Sequence, residues 1–189
     1  MPKPFLKGID PKNIFMHARG FHLADAVIGN FNIDENPEMG AELVQPAMVL
    51  SAFNSELFLK CIICIETGDV PTGHHLVYLF NLVSPKTRSR IEHIWNTEVV
   101  PLREPMWRTI ETKLPAIELP IKRDLPSALM AANKAFEEIR YSYESKNKKS
   151  RFYVSDLPRV LGRIILQLKP EWEHLRRSVK EISRPDQKS

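Results

Sequence analysis

Residues 46–67 have the sequence PAMVLSAFNSELFLKCIICIET, and this stretch decides the fold. Arranged as a helix, it carries apolar side chains around nearly its whole circumference. A helix of this kind must pack against neighbours on several sides. We therefore predict that it forms the centre of an all-α bundle and ends at Gly68, the residue type that favours a helix C-terminus.

The segments around this helix carry clear signals for helix starts. Asp10-Pro11, Ser84-Pro85 and Asp124 each place a capping side chain before a stretch with helical spacing. The chain lacks Asn-Gly and Asp-Gly turns between alternating apolar runs, and it shows no convincing two-residue periodicity. We predict an up-and-down bundle of about five to seven helices, with helices at about 11–30, 46–67, 74–83, 85–100, 126–145 and 156–169.

Four prolines interrupt the stretch 101–125, at positions 101, 105, 115 and 120. Because a proline inside a helix removes a hydrogen bond and clashes with the preceding turn, this density predicts a long connection with one or two helical turns. The polar stretch 30–41 is predicted to be a loop. One domain over 1–182 and a flexible tail over 183–189 complete the expected organisation.

Composition excludes several classes of protein. Of 189 residues, 43% are hydrophobic and 26% are charged, which is typical of a globular protein and not of a disordered one. No apolar run approaches the roughly 18 residues of a membrane span, and the first residues do not form a secretory signal, so we expect a cytoplasmic protein without a membrane partner. Cys61 and Cys64 lie among isoleucines, which favours core positions over metal binding. With no glycine-rich phosphate loop either, we expect neither a metal nor a cofactor.

Positive charge is concentrated at the C-terminal end of the chain. Residues 146–189 hold 12 Lys and Arg against 5 Asp and Glu, whereas residues 1–145 have a net charge of −3. This distribution is compatible with an anionic partner such as nucleic acid, with Lys148, Lys149, Arg151, Arg176 and Arg177 adding attraction that salt weakens. A solvated helical face followed by a charged tail explains it equally well.

Two segments carry polar groups next to apolar faces. Glu56 and Lys60 stand four apart on the central helix, in the order that favours an ion pair. They either reach solvent along a polar stripe with Asn54 and Ser55, or line a polar cleft. Arg140 borders an apolar helix face, where Tyr141 and Tyr143 could stack on bases while the guanidinium holds phosphate. The simpler interpretation is a surface pair between Arg140 and Glu144.

Taken in order, these segments resemble the HEPN superfamily (higher eukaryotes and prokaryotes nucleotide-binding). The similarity lies in the Ser51–Lys60 run with its Glu-Leu-Phe-Leu-Lys, the glycine stop at Gly68, the Gly73-His74-His75-Leu76 segment and the later Arg-Tyr-Ser-Tyr-Glu of residues 140–144. It spans about residues 15–145. The resemblance implies a helical bundle, a homodimer, binding or cleavage of RNA, and a place in toxin–antitoxin or antiviral defence systems, with an antitoxin or another protein of the same operon as a partner.

Ribonucleases of this family use an Arg-x(4–6)-His motif, in which histidine moves a proton and arginine stabilises phosphate charge. No histidine follows Arg140 at that spacing, so we predict binding without conventional ribonuclease activity. Arg88 and His93 satisfy the spacing. With 13 arginines and six histidines in the chain, however, about one such match is expected by chance. An active metal-independent ribonuclease using this pair and a non-catalytic dimerising accessory protein are the alternatives.

The predicted binding site is therefore a polar groove between the Glu56–Lys60 helix and the helix that ends near Arg140. In it, Arg140 holds phosphate, and Glu56 with Lys60 orients Arg140 and the ligand. The remaining predicted members are Tyr141, Tyr143, Glu144 and His74. The histidines at 74 and 75 have a simpler role open to them, which is to cap the helix that follows.

Overall fold

The computed structural model describes residues 5–29, 37–113, 121–140 and 156–176. Within these ranges the chain is an all-α bundle with one small sheet, which confirms the predicted fold class. Besides its α-helices and strands, the chain forms a π-helical turn, Trp95–Val99, and a 3₁₀ helix, Pro170–Leu175. The other elements are, in chain order, β1 (Phe5–Lys7), α1 (Pro11–Gly29), α2 (Pro37–Thr67), β2 (Asp69–Pro71), α3 (Leu76–Leu82), α4 (Pro85–Ile94), α5 (Val100–Lys113), α6 (Leu125–Arg140) and α7 (Leu157–Leu168).

Helix α2 is the centre of the bundle, as predicted. It packs against α1, α3, α6 and α7, and the side chains of Phe58, Leu59 and Ile62 are at most 2% exposed. The helix ends at Thr67, and Gly68 follows with φ of 82°, a left-handed conformation that glycine adopts without steric cost. Burial on several sides thus explains why the sequence of this helix is apolar around its circumference.

Helix α2 begins earlier than the sequence predicts. It starts at Pro37 and contains Pro46, so the part of the predicted loop 30–41 that the structure describes is helical. Pro46 is exposed, which lets water solvate the carbonyl group that the missing N–H leaves free. Over Glu42–Thr67 the helix is long and apolar enough to cross a membrane, contrary to the expectation from sequence. Because 61% of its most apolar window is buried inside the fold, it has the environment of a core helix.

The stretch 101–125 is not the long connection that its prolines predict. Its first part is helix α5, with Pro101 in the first turn and Pro105 inside. The π-helical turn before it widens the backbone just ahead of Pro101. Trp107 is 0% exposed and anchors the helix in the core. Tertiary packing thus outweighs the helix-breaking tendency of exposed prolines.

The end of that stretch is fastened to α5 by one arginine. Arg123 Nη1 lies 2.5 Å from a carboxylate oxygen of Glu111, and its Nε lies 3.1 Å from Glu104. The guanidinium carbon also lies 5.7 Å from the ring centre of Trp107. Hydrogen bonds from Arg123 and from the backbone of Ile121 hold the pKa of Glu111 at about 2. This network fastens the chain to α5 two residues before α6 begins.

The predicted helix caps at the starts of α1, α4 and α6 are confirmed. In each, the capping side chain accepts a hydrogen bond from a backbone N–H within the first turn, in the pairs Asp10–Lys12 (2.8 Å), Ser84–Thr87 (3.4 Å) and Asp124–Ser127 (2.8 Å).

The sequence did not predict the two short strands, β1 and β2. β1 pairs antiparallel with β2, and Leu6 lies opposite Val70. Three residues per strand are too few to show an alternating pattern, and the two strands lie about 60 residues apart in the chain. By tying down the chain after α2, this sheet fixes the path of residues 72–75 into α3.

Candidate functional site

A buried carboxylate on α2 organises the predicted site. Glu56 is 8% exposed, and its Oε1 accepts a hydrogen bond from Lys60 Nζ at 2.8 Å, as the spacing predicts. The same oxygen lies 2.9 Å from Nδ1 of His74. A buried carboxylate is costly unless it is paired, so both neighbours stabilise it. In neutral His74 this contact places the proton on Nδ1 and leaves Nε2 as a hydrogen-bond acceptor on a side chain that is 77% exposed.

The second histidine is held by helix α6. Nδ1 of His75 lies 3.2 Å from Nδ2 of Asn133. Oδ1 of Asn133 is buried and accepts no hydrogen bond from the part of the chain that the structure describes. His75 is the N-cap residue of α3, but its side chain makes no capping hydrogen bond, so the predicted capping role of the histidines is wrong. The two histidines instead connect the start of α3 to α2 and α6.

These groups surround a very small hollow. Its volume is about 20 Å³, and Glu56, His74 and Asn133 line it together with Ala52, Phe53, Leu76 and Ala132. That volume holds about one water molecule. A nucleotide base therefore cannot enter, and a ligand can contact only the exposed rim.

The polar-stripe interpretation of α2 is wrong. Asn54 and Ser55 are 0% exposed. With its amide oriented to satisfy both groups, Asn54 donates to the carbonyl of Ala18 at 2.9 Å and accepts from the backbone N–H of His22 at 3.3 Å. Oγ of Ser55 donates to the carbonyl of Ser51. These polar groups are satisfied internally, and Asn54 locks α1 against α2.

The arginine side of the predicted groove is only partly described. Arg140 is the last residue of α6, and its side chain lies outside the described residues, as do Tyr141, Tyr143 and Glu144. The α6 backbone runs from Asn133 to Arg140, about 10 Å along the helix axis. The structure thus brings α6 against Glu56 and His74, as the groove requires, while the position of the guanidinium stays a prediction.

The alternative catalytic pair lies on α4. Arg88 donates to Oδ1 of Asn81 at 3.4 Å, and His93 is exposed. Residues five apart on a helix are separated by about 140° around its axis. Within one chain, therefore, Arg88 and His93 do not converge on one phosphate group.

The described residues include no group of three or more His, Cys, Asp or Glu side chains placed to hold a metal ion. Cys61 and Cys64 are buried and free, as predicted. Their thiols donate to the backbone carbonyls of Pro11 and Ile9 at 3.3 and 3.4 Å. Burial raises the pKa of both thiols, which makes them poor nucleophiles.

Comparisons with protein-family models, with curated proteins and with solved structures find no match to this chain. The resemblance to HEPN proteins therefore remains a prediction from sequence.

Sequence analysis missed a larger cleft on another face, between α1, α7 and the 3₁₀ helix. Its volume is about 520 Å³, within the range of small-ligand sites. Four arginines line it: Arg19, Arg159, Arg163 and Arg176. They come from three separate parts of the chain. Two sequence signals pointed toward it: the excess of positive charge over residues 146–189, which holds three of the four arginines, and the spacing of Arg159 and Arg163, which stand four apart and so share a helix face.

Three of these arginines have carboxylate neighbours. Nε of Arg159 lies 3.7 Å from Asp156, Arg163 lies 2.6 Å from Glu98, and Arg176 lies 3.2 Å from Glu173. The arginine side chains are 50%, 52% and 73% exposed. The exposed pairs of Arg163 and Arg176 contribute only about 0–1 kcal/mol each, so these two guanidinium groups can turn to another anion at little cost, whereas Arg159 faces the buried carboxylate of Asp156.

Proposed function

We propose that this protein is an HEPN-like RNA- or nucleotide-binding protein that contacts its ligand on the face formed by α2, α3 and α6. The sequence resemblance supports the class. On the same ground we propose a homodimer with a role in a toxin–antitoxin or antiviral defence system. The absence of a histidine at the family spacing after Arg140 supports the lack of conventional ribonuclease activity.

The observation that carries the proposal is the meeting of Glu56, His74 and Asn133 at one point between α2, α3 and α6. Glu56 holds the ring of His74 through Nδ1, which leaves Nε2 on the other side of the ring for a ligand. The buried Oδ1 of Asn133 is an acceptor that one water molecule in the hollow satisfies, so a ligand meets this point through the exposed ring of His74. Helix α6 continues from there to Arg140, the predicted phosphate contact.

The size of the hollow favours a polymer over a single enclosed base. About 20 Å³ accommodates no base, whereas the exposed rings of His74 and His75 offer flat surfaces at the rim. Single-stranded RNA binds by stacking unpaired bases on such rings while cations contact its phosphates. In this arrangement Lys60 and Glu56 position His74 and do not contact the ligand.

Fluorescence anisotropy with a labelled single-stranded RNA, measured at two salt concentrations, tests the proposal. We expect the wild type to bind and Arg140→Ala to weaken binding about tenfold, with the salt dependence reduced by about one phosphate contact. His74→Ala should weaken binding at both salt concentrations. Arg108→Ala is the matched control, because Arg108 is a 75% exposed arginine on α5, outside this face.

The alternatives give different results in the same experiment. If neither the wild type nor Arg140→Ala has affinity for RNA, the proposal fails and a purely structural dimerising partner is left. If RNA is cut in the presence of EDTA, and Arg88→Ala or His93→Ala abolishes the cutting, the protein is the metal-independent ribonuclease instead.

A further inference from the structure

The arginine-lined cleft is separate from the face of the proposed function. It lies between α1, α7 and the 3₁₀ helix, and it shares no residue with the hollow at Glu56. Whatever it binds is therefore an addition to RNA binding at His74.

The inner wall of the cleft is apolar and partly aromatic. Phe15 and Phe58 are 3% and 2% exposed, and their ring centres lie 6.0 Å apart. Gly162 on α7 lines the cleft beside them, and a Cβ atom at this position would lie 3.6 Å from the ring of Phe58. Since glycine has no side chain, it keeps this part of the cleft open next to the ring.

The guanidinium group of Arg19, one of the cations in the cleft, lacks a full set of hydrogen-bond partners. Arg19 bonds through Nη1 to the carbonyl of Leu175, whereas its Nε is buried and donates to no acceptor in the described ranges. The described structure also gives Arg19 no carboxylate partner within ion-pair distance. Because Arg19 lines the cleft, its uncompensated charge favours an anion bound there.

Three further guanidinium groups, on Arg159, Arg163 and Arg176, stand at the rim. Each is at least half exposed, and Glu173 is the one carboxylate among the lining residues. Each of these three arginines pairs with a carboxylate, of which Asp156 and Glu98 lie outside the lining, so the uncompensated positive charge of the cleft is that of Arg19. Each guanidinium group binds phosphate through two parallel hydrogen bonds. Several arginines around one cleft therefore favour a ligand with phosphate groups over a ligand with a single carboxylate.

His22 and Gln167 add neutral polar groups to the lining. Burial, with a smaller effect of Arg159, lowers the pKa of His22, so its ring is neutral at pH 7. A neutral imidazole both donates and accepts, and an amide does the same. A ligand ring that carries hydrogen-bond donors and acceptors therefore finds partners in both side chains.

We propose that this cleft binds a small molecule that carries phosphate groups on a flat, ring-bearing body, a chemistry for which nucleoside triphosphates are the probe. The phosphates lie against Arg19, Arg159 and Arg163, and the ring lies toward Gly162 and Phe58. This inference does not depend on the proposed RNA function, because it uses different residues.

Isothermal titration of the full chain with ATP in EDTA tests the inference, with tripolyphosphate and adenosine as separate arms. We expect ATP to bind with a Kd below about 1 mM and more tightly than either part alone. The double variant Arg159→Gln/Arg163→Gln should weaken ATP binding about tenfold or more, since it removes two charged contacts. Arg108→Gln, on α5 and outside the lining, should leave it unchanged.

A second variant tests the ring separately from the charges. Gly162→Leu keeps every arginine and fills the space beside Phe58, so it should remove most of the advantage of ATP over tripolyphosphate. Circular dichroism and thermal unfolding of each variant establish that it is folded.

Three results would overturn the inference. These are no ATP binding by the wild type at about 5 mM, binding that the double variant leaves intact, and tripolyphosphate binding as tight as that of ATP. The cleft variants should leave RNA affinity unchanged, whereas Arg140→Ala should leave ATP affinity unchanged. Failure at one site is thereby distinguished from failure at the other.

Discussion

Arg103 on α5 holds the buried carboxylate of Asp156 at the start of α7. Nε of Arg103 lies 2.6 Å from Oδ2 and its Nη2 lies 3.1 Å from Oδ1, so both oxygens are engaged. Asp156 is 6% exposed and occupies the N-cap position of α7, yet its side chain makes no capping hydrogen bond. Asp156 thus does not cap its own helix, and it instead joins α7 to α5 through an arginine that lies 53 positions earlier in the chain.

Replacing Arg103 with methionine should lower the free energy of unfolding by about 3 kcal/mol, because it leaves a buried carboxylate with only Arg159, at 3.7 Å. Urea denaturation measures the change. Asp156→Asn on the Arg103→Met background should recover part of the loss, since it removes the unpaired charge. Arg108→Ala is the control, with an expected change of about 0.5 kcal/mol or less for an exposed pair. Equal effects of Arg103→Met and Arg108→Ala would contradict a special role for this contact.

The limits of sequence analysis follow from the range of the interactions. Three features were predicted correctly because a few neighbouring residues determine each of them: the part of α2 from residue 46 to its end, the caps at Asp10, Ser84 and Asp124, and the Glu56–Lys60 pair. Helix α5 was missed because the burial of Trp107 and its surroundings, which no local pattern reveals, outweighs the prolines.

The same distinction between local and long-range interactions applies to the candidate sites. His74 was predicted as a member of the site, but its contact with Glu56, 18 residues away, depends on the sheet that guides the chain after α2. The arginine cleft was missed because Arg19 and Arg176 meet only when α1 packs near the end of the chain. A charge count over residues 146–189 includes Arg176 and cannot include Arg19.

Asp25 should make stability depend on pH. Burial, with a smaller effect of the Asp156 charge, raises the pKa of Asp25 to about 6. Between pH about 4 and 6 the native chain holds a proton that the unfolded chain releases, so this group contributes stability at low pH that is lost as pH rises through 6. The free energy of unfolding of Asp25→Asn, compared with that of the wild type, should therefore rise across this window.

At pH 7 the gain should be on the order of 1 kcal/mol, after allowance for the partial exposure of the side chain. Urea denaturation of both proteins at pH 4, 5, 6 and 7 measures this gain, since these pH values span roughly the pKa of Asp25 in the unfolded chain and in the native chain. A difference between the two proteins that is constant with pH would show that Asp25 titrates normally in the native state.

Both cysteines should resist thiol reagents in the folded protein. Because burial raises the pKa of Cys61 and Cys64, the reactive thiolate is scarce and access is blocked. With a chromogenic disulfide reagent at pH 8, the native protein should release little colour over minutes, and in denaturant two thiols per chain should react at once. Rapid reaction of one thiol in the native state would show that the contact between α2 and the segment before α1 opens readily.

Gly162→Ala should stabilise the fold without closing the arginine cleft. Glycine inside a helix costs about 0.5–1 kcal/mol relative to alanine, and α7 has ordinary helical geometry at this position. The new Cβ would lie 3.6 Å from the Phe58 ring, which is normal van der Waals contact. For a chain of this size we expect Tm to rise by roughly 2–4 °C, measured by calorimetry. A lower Tm would mean that this site has less room than the structure gives it, since alanine would then displace Phe58.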